Sequence, residues 1–108
     1  MKIIWTKEAL KRLSEIEEFI AQDNPNNAEK FINYLIERGE SIPQNPQIGR
    51  IVPEISSPTI REVISKKYRI VYRIKKKLIE IITVFEGHEL LSIVKDTGSQ
   101  KHYHYSCG

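Results

Sequence analysis

Cysteine is almost absent from this chain: Cys107 is the only one in 108 residues. A disulfide framework within the chain is therefore excluded, as is a cysteine-rich zinc site. Histidine is nearly as scarce, three in all, and two of them (His102 and His104) sit beside that cysteine in a polar tail. No second ligand cluster exists to complete a metal site around them, so no metal or cofactor is expected. No apolar run approaches the roughly 18–20 residues that cross a bilayer, and the first residues lack the apolar core of a signal peptide. The strong catalytic motifs are missing too: no phosphate-binding glycine loop, no G-x-G-x-x-G, no H-E-x-x-H, no G-x-S-x-G and no C-x-x-C. These absences leave a soluble, cytoplasmic protein with no membrane partner. Its composition, 40% hydrophobic and 29% charged, suits one globular domain.

The net charge of +3 is unevenly laid out. Residues 61–77 hold eight basic side chains (Arg61, Lys66, Lys67, Arg69, Arg73, Lys75, Lys76 and Lys77) against one acid, Glu62. Residues 1–43 and 78–108 are each net −2. The basic character thus belongs to one short segment, which suits an anionic partner: RNA, DNA or an acidic protein. Lys75, Lys76 and Lys77 also suit a plain solvated turn.

Periodicity predicts an α+β domain. A short apolar strand ends at Trp5, and Thr6 caps a helix with Glu8 in its first turn. Ala9, Leu10, Leu13, Ile16, Phe19 and Ile20 then recur at helical spacing. Asp23-Asn24-Pro25-Asn26 reads as a turn, with Pro25 opening a second helix along Ala28, Phe31, Ile32, Leu35 and Ile36. That helix ends at Gly39 or at the Ile42-Pro43 step, and the two helices should form an antiparallel hairpin. Residues 43–59 hold four prolines and read as a loop. Strands are expected at residues 60–65, 68–75 and 78–85, the last two joined by Lys76-Lys77. Alternation puts Tyr68, Ile70, Tyr72 and Ile74 on a core face with Ile79, Ile81, Thr83 and Phe85. The helix hairpin packs on one face of an antiparallel sheet. The other face, turned to solvent, displays Arg69 and Arg73 beside Arg61, with Glu80 in reach of Arg69 as an ion-pair partner. Gly87 should break the last strand, and Leu90, Leu91, Ile93 and Val94 make a final short element. Residues 1–95 are one domain and 96–108 a flexible polar tail.

Three runs are recognisable in order: Gly49-Arg50-Ile51-Val52-Pro53-Glu54, then Ile60-Arg61-Glu62-Val63-Ile64, then Tyr68-Arg69-Ile70-Val71-Tyr72-Arg73-Ile74. With the strand ending at Trp5 and Asn24-Pro25 followed by Ala28 and Phe31, they resemble the RelE/ParE superfamily of toxins from type II toxin–antitoxin modules, which includes plasmid stabilisation proteins. The resemblance covers about residues 2–92. It implies a helix hairpin on a small antiparallel sheet, and one of two activities. The RelE-like branch is a ribosome-dependent endoribonuclease acting on messenger RNA. The ParE-like branch poisons DNA gyrase without a known hydrolytic site.

Metal-free RNA cleavage needs a base for the 2′-hydroxyl, an acid for the leaving oxygen and cations for the phosphorane. By resemblance, Arg69 matches the arginine used at the phosphate, Glu54 stands where some nuclease members have a general base, and His88 could serve as acid. The decisive position follows the last strand, where nuclease members carry arginine or histidine. An ungapped match puts Glu89 there, a charge unsuited to a phosphorane. With Tyr68 and Tyr72 turned to the core, a stacking platform for a splayed base is also missing. The ParE-like branch is therefore the reading the residues favour: a toxin that binds gyrase and is neutralised by a cognate antitoxin protein. Its binding surface for target or antitoxin would use Arg61, Lys66, Lys67, Arg69 and Arg73. The alternatives are the nuclease, partnered with ribosome and messenger RNA, and a degenerate module that only binds antitoxin. A homodimer and a heterotetramer with antitoxin are both left open.

Overall fold

Hydrophobic spacing and capping shape the N-terminal half of the computed structural model, which describes residues 1–87. Strand β1 (Lys2–Trp5) leads into helix α1 (Lys7–Ala21), capped by Thr6, whose hydroxyl accepts from Ala9 N at 3.1 Å. Helix α2 (Pro25–Glu40) starts with Pro25 in its first turn, and Asn24 Oδ1 accepts from Asn27 N at 3.1 Å. Of the apolar positions on α1, Ala9, Leu13 and Ile16 are buried, while Leu10 and Phe19 are exposed. Gly39 does not end α2. It lies inside the helix because Trp5 packs on it, and a Cβ there would come within 2.7 Å of two indole carbons. The chain turns instead at the Ile42-Pro43 step, in a single 3-10 turn (Ile42–Gln44).

The loop of residues 43–59 holds one strand that composition concealed, β2 (Arg50–Ile51), followed by β3 (Ile60–Ser65), β4 (Tyr68–Ile74) and β5 (Leu78–Glu86). The five strands lie in the order β1-β5-β4-β3-β2. Strands β3 to β5 pair antiparallel as expected and β2 joins β3 in the same sense, but β1 adds to β5 in parallel, Lys2 opposite Leu78 and Trp5 opposite Ile81, so the sheet is mixed rather than antiparallel. Strand β5 ends at Glu86 with Gly87 just beyond it, as expected, and the Gly87 N–H donates to Lys67 O at 2.8 Å.

One irregularity corrects the expected core face. Val71 lies opposite Thr83 but Tyr72 opposite Ile81, so Ile82 is an extra residue on β5. The bulge reverses the alternation beyond it: Ile79, Ile81 and Val84 meet the helices, whereas Ile82 and Phe85 face away. Thr6 locks the bulge by donating to Ile82 O at 2.8 Å. The face turned from the helices is not wholly solvated either. Val52, Ile60, Val71, Ile82 and Phe85 form a second small core there, with Ile55 against it. Tyr72 ties the preceding loop to the main core, donating to Pro46 O at 2.7 Å and accepting from Gly49 N at 2.9 Å. Gly49 has room for no side chain: a Cβ would lie 2.7 Å from both the Tyr72 hydroxyl and Glu62 O.

Candidate functional site

On the face turned from the helices, register brings charged residues together that are distant in sequence. Arg50 lies opposite Glu62, Glu62 opposite Val71, and Arg73 opposite Glu80. Odd positions of β4 and even positions of β3 share this face, so Arg69 reaches Glu62 rather than Glu80. Glu62 Oε2 accepts from Arg50 Nε at 2.6 Å and from Arg69 Nη1 at 2.7 Å, and the Glu62 side chain is 0% exposed. The Arg69 side chain is 19% exposed and ion-paired to a buried carboxylate that it shares with Arg50. Arg73 Nη1 lies 3.4 Å and Lys75 Nζ 3.5 Å from Glu80 Oε1.

Arg61 stands apart from these arginines. It is opposite Tyr72, on the helix side of the sheet, where it donates to Gly49 O at 2.8 Å and Gln47 Oε1 at 3.0 Å. The cause is plain alternation: Arg61 on β3 is out of phase with Arg69 and Arg73 on β4. Lys66 and Lys67 form the β3–β4 turn, Lys66 with a positive φ of 57°. Lys66 Nζ lies 5.5 Å from the centre of the Tyr34 ring. Lys67 Nζ pairs with Glu86 at 2.9 Å, and this hydrogen bond raises the lysine's pKa above its ordinary value. Glu54 sits in an exposed turn, and no hydrogen bond or ion pair links its side chain to Arg69. His88, Glu89, Leu90, Leu91, Ile93, Val94 and the tail with His102, His104 and Cys107 lie outside the described residues. The basic segment is therefore divided. Two lysines lie at one end of β4, paired arginines along it, and three lysines at its other end, roughly 20 Å away for a seven-residue strand.

A second feature forms where β1 stops. Its last residue, Trp5, lies opposite Ile81, so β5 from Ile82 onward is a sheet edge among the described residues. Between that edge and α1 runs a groove of about 220 Å³, with Ile16, Phe19, Tyr68, Val84 and Phe85 lining it and Arg12, Glu15 and Glu86 at its rim. Phe19 is 64% exposed. An apolar groove with a ring left in water is a surface suited to a partner. Among the described residues no group of histidine, cysteine and acidic side chains is placed to hold a metal ion. No helix there is long and apolar enough to cross a membrane.

The family model for the ParE toxin of the type II toxin–antitoxin system parDE matches residues 3–91. The chain belongs to this ParE toxin family. A relative from Sinorhizobium fredii (strain NBRC 101917 / NGR234), named "Putative toxin Y4kP", is 32% identical over 88 residues, which is 82% of this chain and 90% of that protein. Among solved structures, a chain of the chromosomal ParDE system of P. aeruginosa shares the fold with a TM-score of 0.68. Its identity is 22%, over 80% of this chain and 95% of its own. In this ParE-family toxin the sequence reading missed two parts of the surface. Glu62 was visible only as the one acid in a basic run. Its phase, in step with Ile60 and Ile64, was the available signal that it points toward Arg69. The groove had no such signal, because it depends on where β1 ends along β5.

Proposed function

We propose that this ParE-family toxin arrests growth by binding an essential target, DNA gyrase, and that a cognate antitoxin silences it by filling the groove between α1 and the edge of β5 that is open among the described residues. The observation that carries the choice of binding over cleavage is the state of Arg69. Metal-free RNA cleavage requires a free cation with an acid and a base converging on one phosphate. Arg69 is largely covered and ion-paired to Glu62, and Glu54 makes no contact with it. Such a face supports recognition better than catalysis. Gyrase is the target implied by the ParE-like branch, and the antitoxin by the paired nature of the family.

Inducing the chain alone in a bacterial host, with primer extension on an abundant message and a supercoiling assay on purified gyrase, tests this directly. Growth arrest with intact messages and lost supercoiling is expected, with activity restored when antitoxin is added. New codon-positioned 5′ ends that vanish in Arg69→Ala would overturn the proposal in favour of a nuclease using Arg69, Glu54 and His88. Absence of both arrest and gyrase inhibition would leave a module that only binds antitoxin.

A further inference from the structure

The densest cluster of lysines lies at one end of the sheet. Along β4 the arginines face Glu62 and Glu80, and at the β3–β4 turn Lys67 faces Glu86 while Lys66, exposed and without an ion pair among the described residues, lies over the Tyr34 ring. The β4–β5 turn differs. Lys76 and Lys77 are exposed, and among the described residues neither has an ion-pair partner. Lys75 shares Glu80 with Arg73. The parallel pairing of β1 delivers a fourth lysine from the far end of the sequence: Lys2 N donates to Lys77 O at 3.1 Å, and Lys2 lies opposite Leu78. Lys2 is exposed and likewise without an ion pair among the described residues.

We propose that Lys2, Lys75, Lys76 and Lys77 form a binding surface for the phosphate backbone of double-stranded DNA, separate from any contact this toxin makes with a protein target. Lysine supplies mobile point charges without the flat fork with which arginine grips a carboxylate, and such charges suit a run of phosphates. Residues 1–4 and 75–80 contain no aromatic side chain, so unpaired bases find nothing to stack on. An acidic peptide would want apolar anchor sites beside the cations. Beside these lysines only the single side chains Met1 and Ile4 are exposed and apolar, whereas the apolar groove lies at the opposite end of β4, beside Tyr68 and Glu86. A cluster of mobile lysines with so little apolar surface beside it favours backbone contact with a duplex, without sequence preference.

Four lysines meeting about three phosphates give a log–log salt slope of about −3, so affinity should fall roughly 50-fold between 50 and 200 mM salt. The test is fluorescence anisotropy of a labelled random-sequence DNA duplex titrated with the full chain across that range. The triple variant Lys2→Gln/Lys76→Gln/Lys77→Gln, checked for native circular dichroism, should bind at least tenfold more weakly at 50 mM and reduce the slope to about −1. Lys66→Gln/Lys67→Gln, at the other end of β4, should stay within about twofold of the parent. An RNA duplex competing equally would support the same phosphate chemistry. The proposal is overturned if the parent binds no duplex at 50 mM, or if both variants lose binding alike. Tighter binding of single strands, or of polyglutamate with the same lysine dependence, would overturn it too. None of these readouts involves gyrase, so the two readings stand or fall separately.

Discussion

The carboxylate of Glu62 is shut away from solvent, yet one of its oxygens serves two guanidiniums. Removing a buried partner strands the other charge, so Glu62→Ala should cost about 3 kcal/mol of stability, most of it through Arg69. Arg50 is half exposed and can rehydrate, so Arg50→Ala should cost under about 1 kcal/mol. Urea unfolding of the two variants separates these values; equal losses would mean that the bridge contributes no special stability. Tyr72 offers a pH test. Burial raises its phenol pKa above the ordinary value of 10.0, against the lowering effects of the Gly49 hydrogen bond and the Arg61 charge. The folded state therefore holds this proton more tightly than the unfolded one. That contribution to stability is full below pH 10.0 and is lost as pH rises toward the folded value. Tyr72→Phe should lose about 1–3 kcal/mol near neutrality, where Gly49 N and Pro46 O lose their partner, and the gap to the parent should narrow above pH 10. A gap constant through pH 11 would show that the hydroxyl's ionisation is not linked to folding.

Trp5 and Gly39 show how two elements are fitted together. On helix propensity alone Gly39→Ala should gain about 1 kcal/mol. With the indole 2.7 Å from the new Cβ, we expect a net loss of about 1–3 kcal/mol instead. In a double-mutant cycle, Trp5→Leu should remove most of the penalty; additive losses would place the cause elsewhere. The helix hairpin was legible because its signals are local: the period through Leu13 and Ile16, and the Asn24-Pro25 joint. The three long strands and their turn were legible from alternation. What could not be read depends on tertiary register. Nothing near Ile82 announces the bulge that turns Phe85 away from the helices, since it is Thr6, 76 positions distant, that holds the bulged carbonyl. The same limit misplaced Arg61 beside Arg69 and hid Glu62 between Arg50 and Arg69. Strand β2, two residues among prolines, is too short to show a period at all.

Over the whole molecule, the apolar groove and the lysine-rich turn occupy opposite ends of β4, which allows one surface to be blocked while the other stays open. Phe19→Asp puts a charge in the groove and should weaken antitoxin binding at least tenfold, with the fold unchanged because the ring is already in water. Calorimetric titration against the antitoxin checks it, and unaltered affinity would move the antitoxin off this groove. The pairing of β1 with β5 also sets a timetable. Residue 2 meets residue 78, so the sheet closes only across nearly the whole described length. Until Leu78 and its successors emerge from the ribosome, β4 has only β3 beside it, β1 has nowhere to lie, and α1 has no completed sheet to cover. Assembly of such distant partners is slow and late. A chain interrupted before that point lacks Val84, Phe85 and Glu86, so the groove proposed for the antitoxin does not exist until β5 has been made and docked.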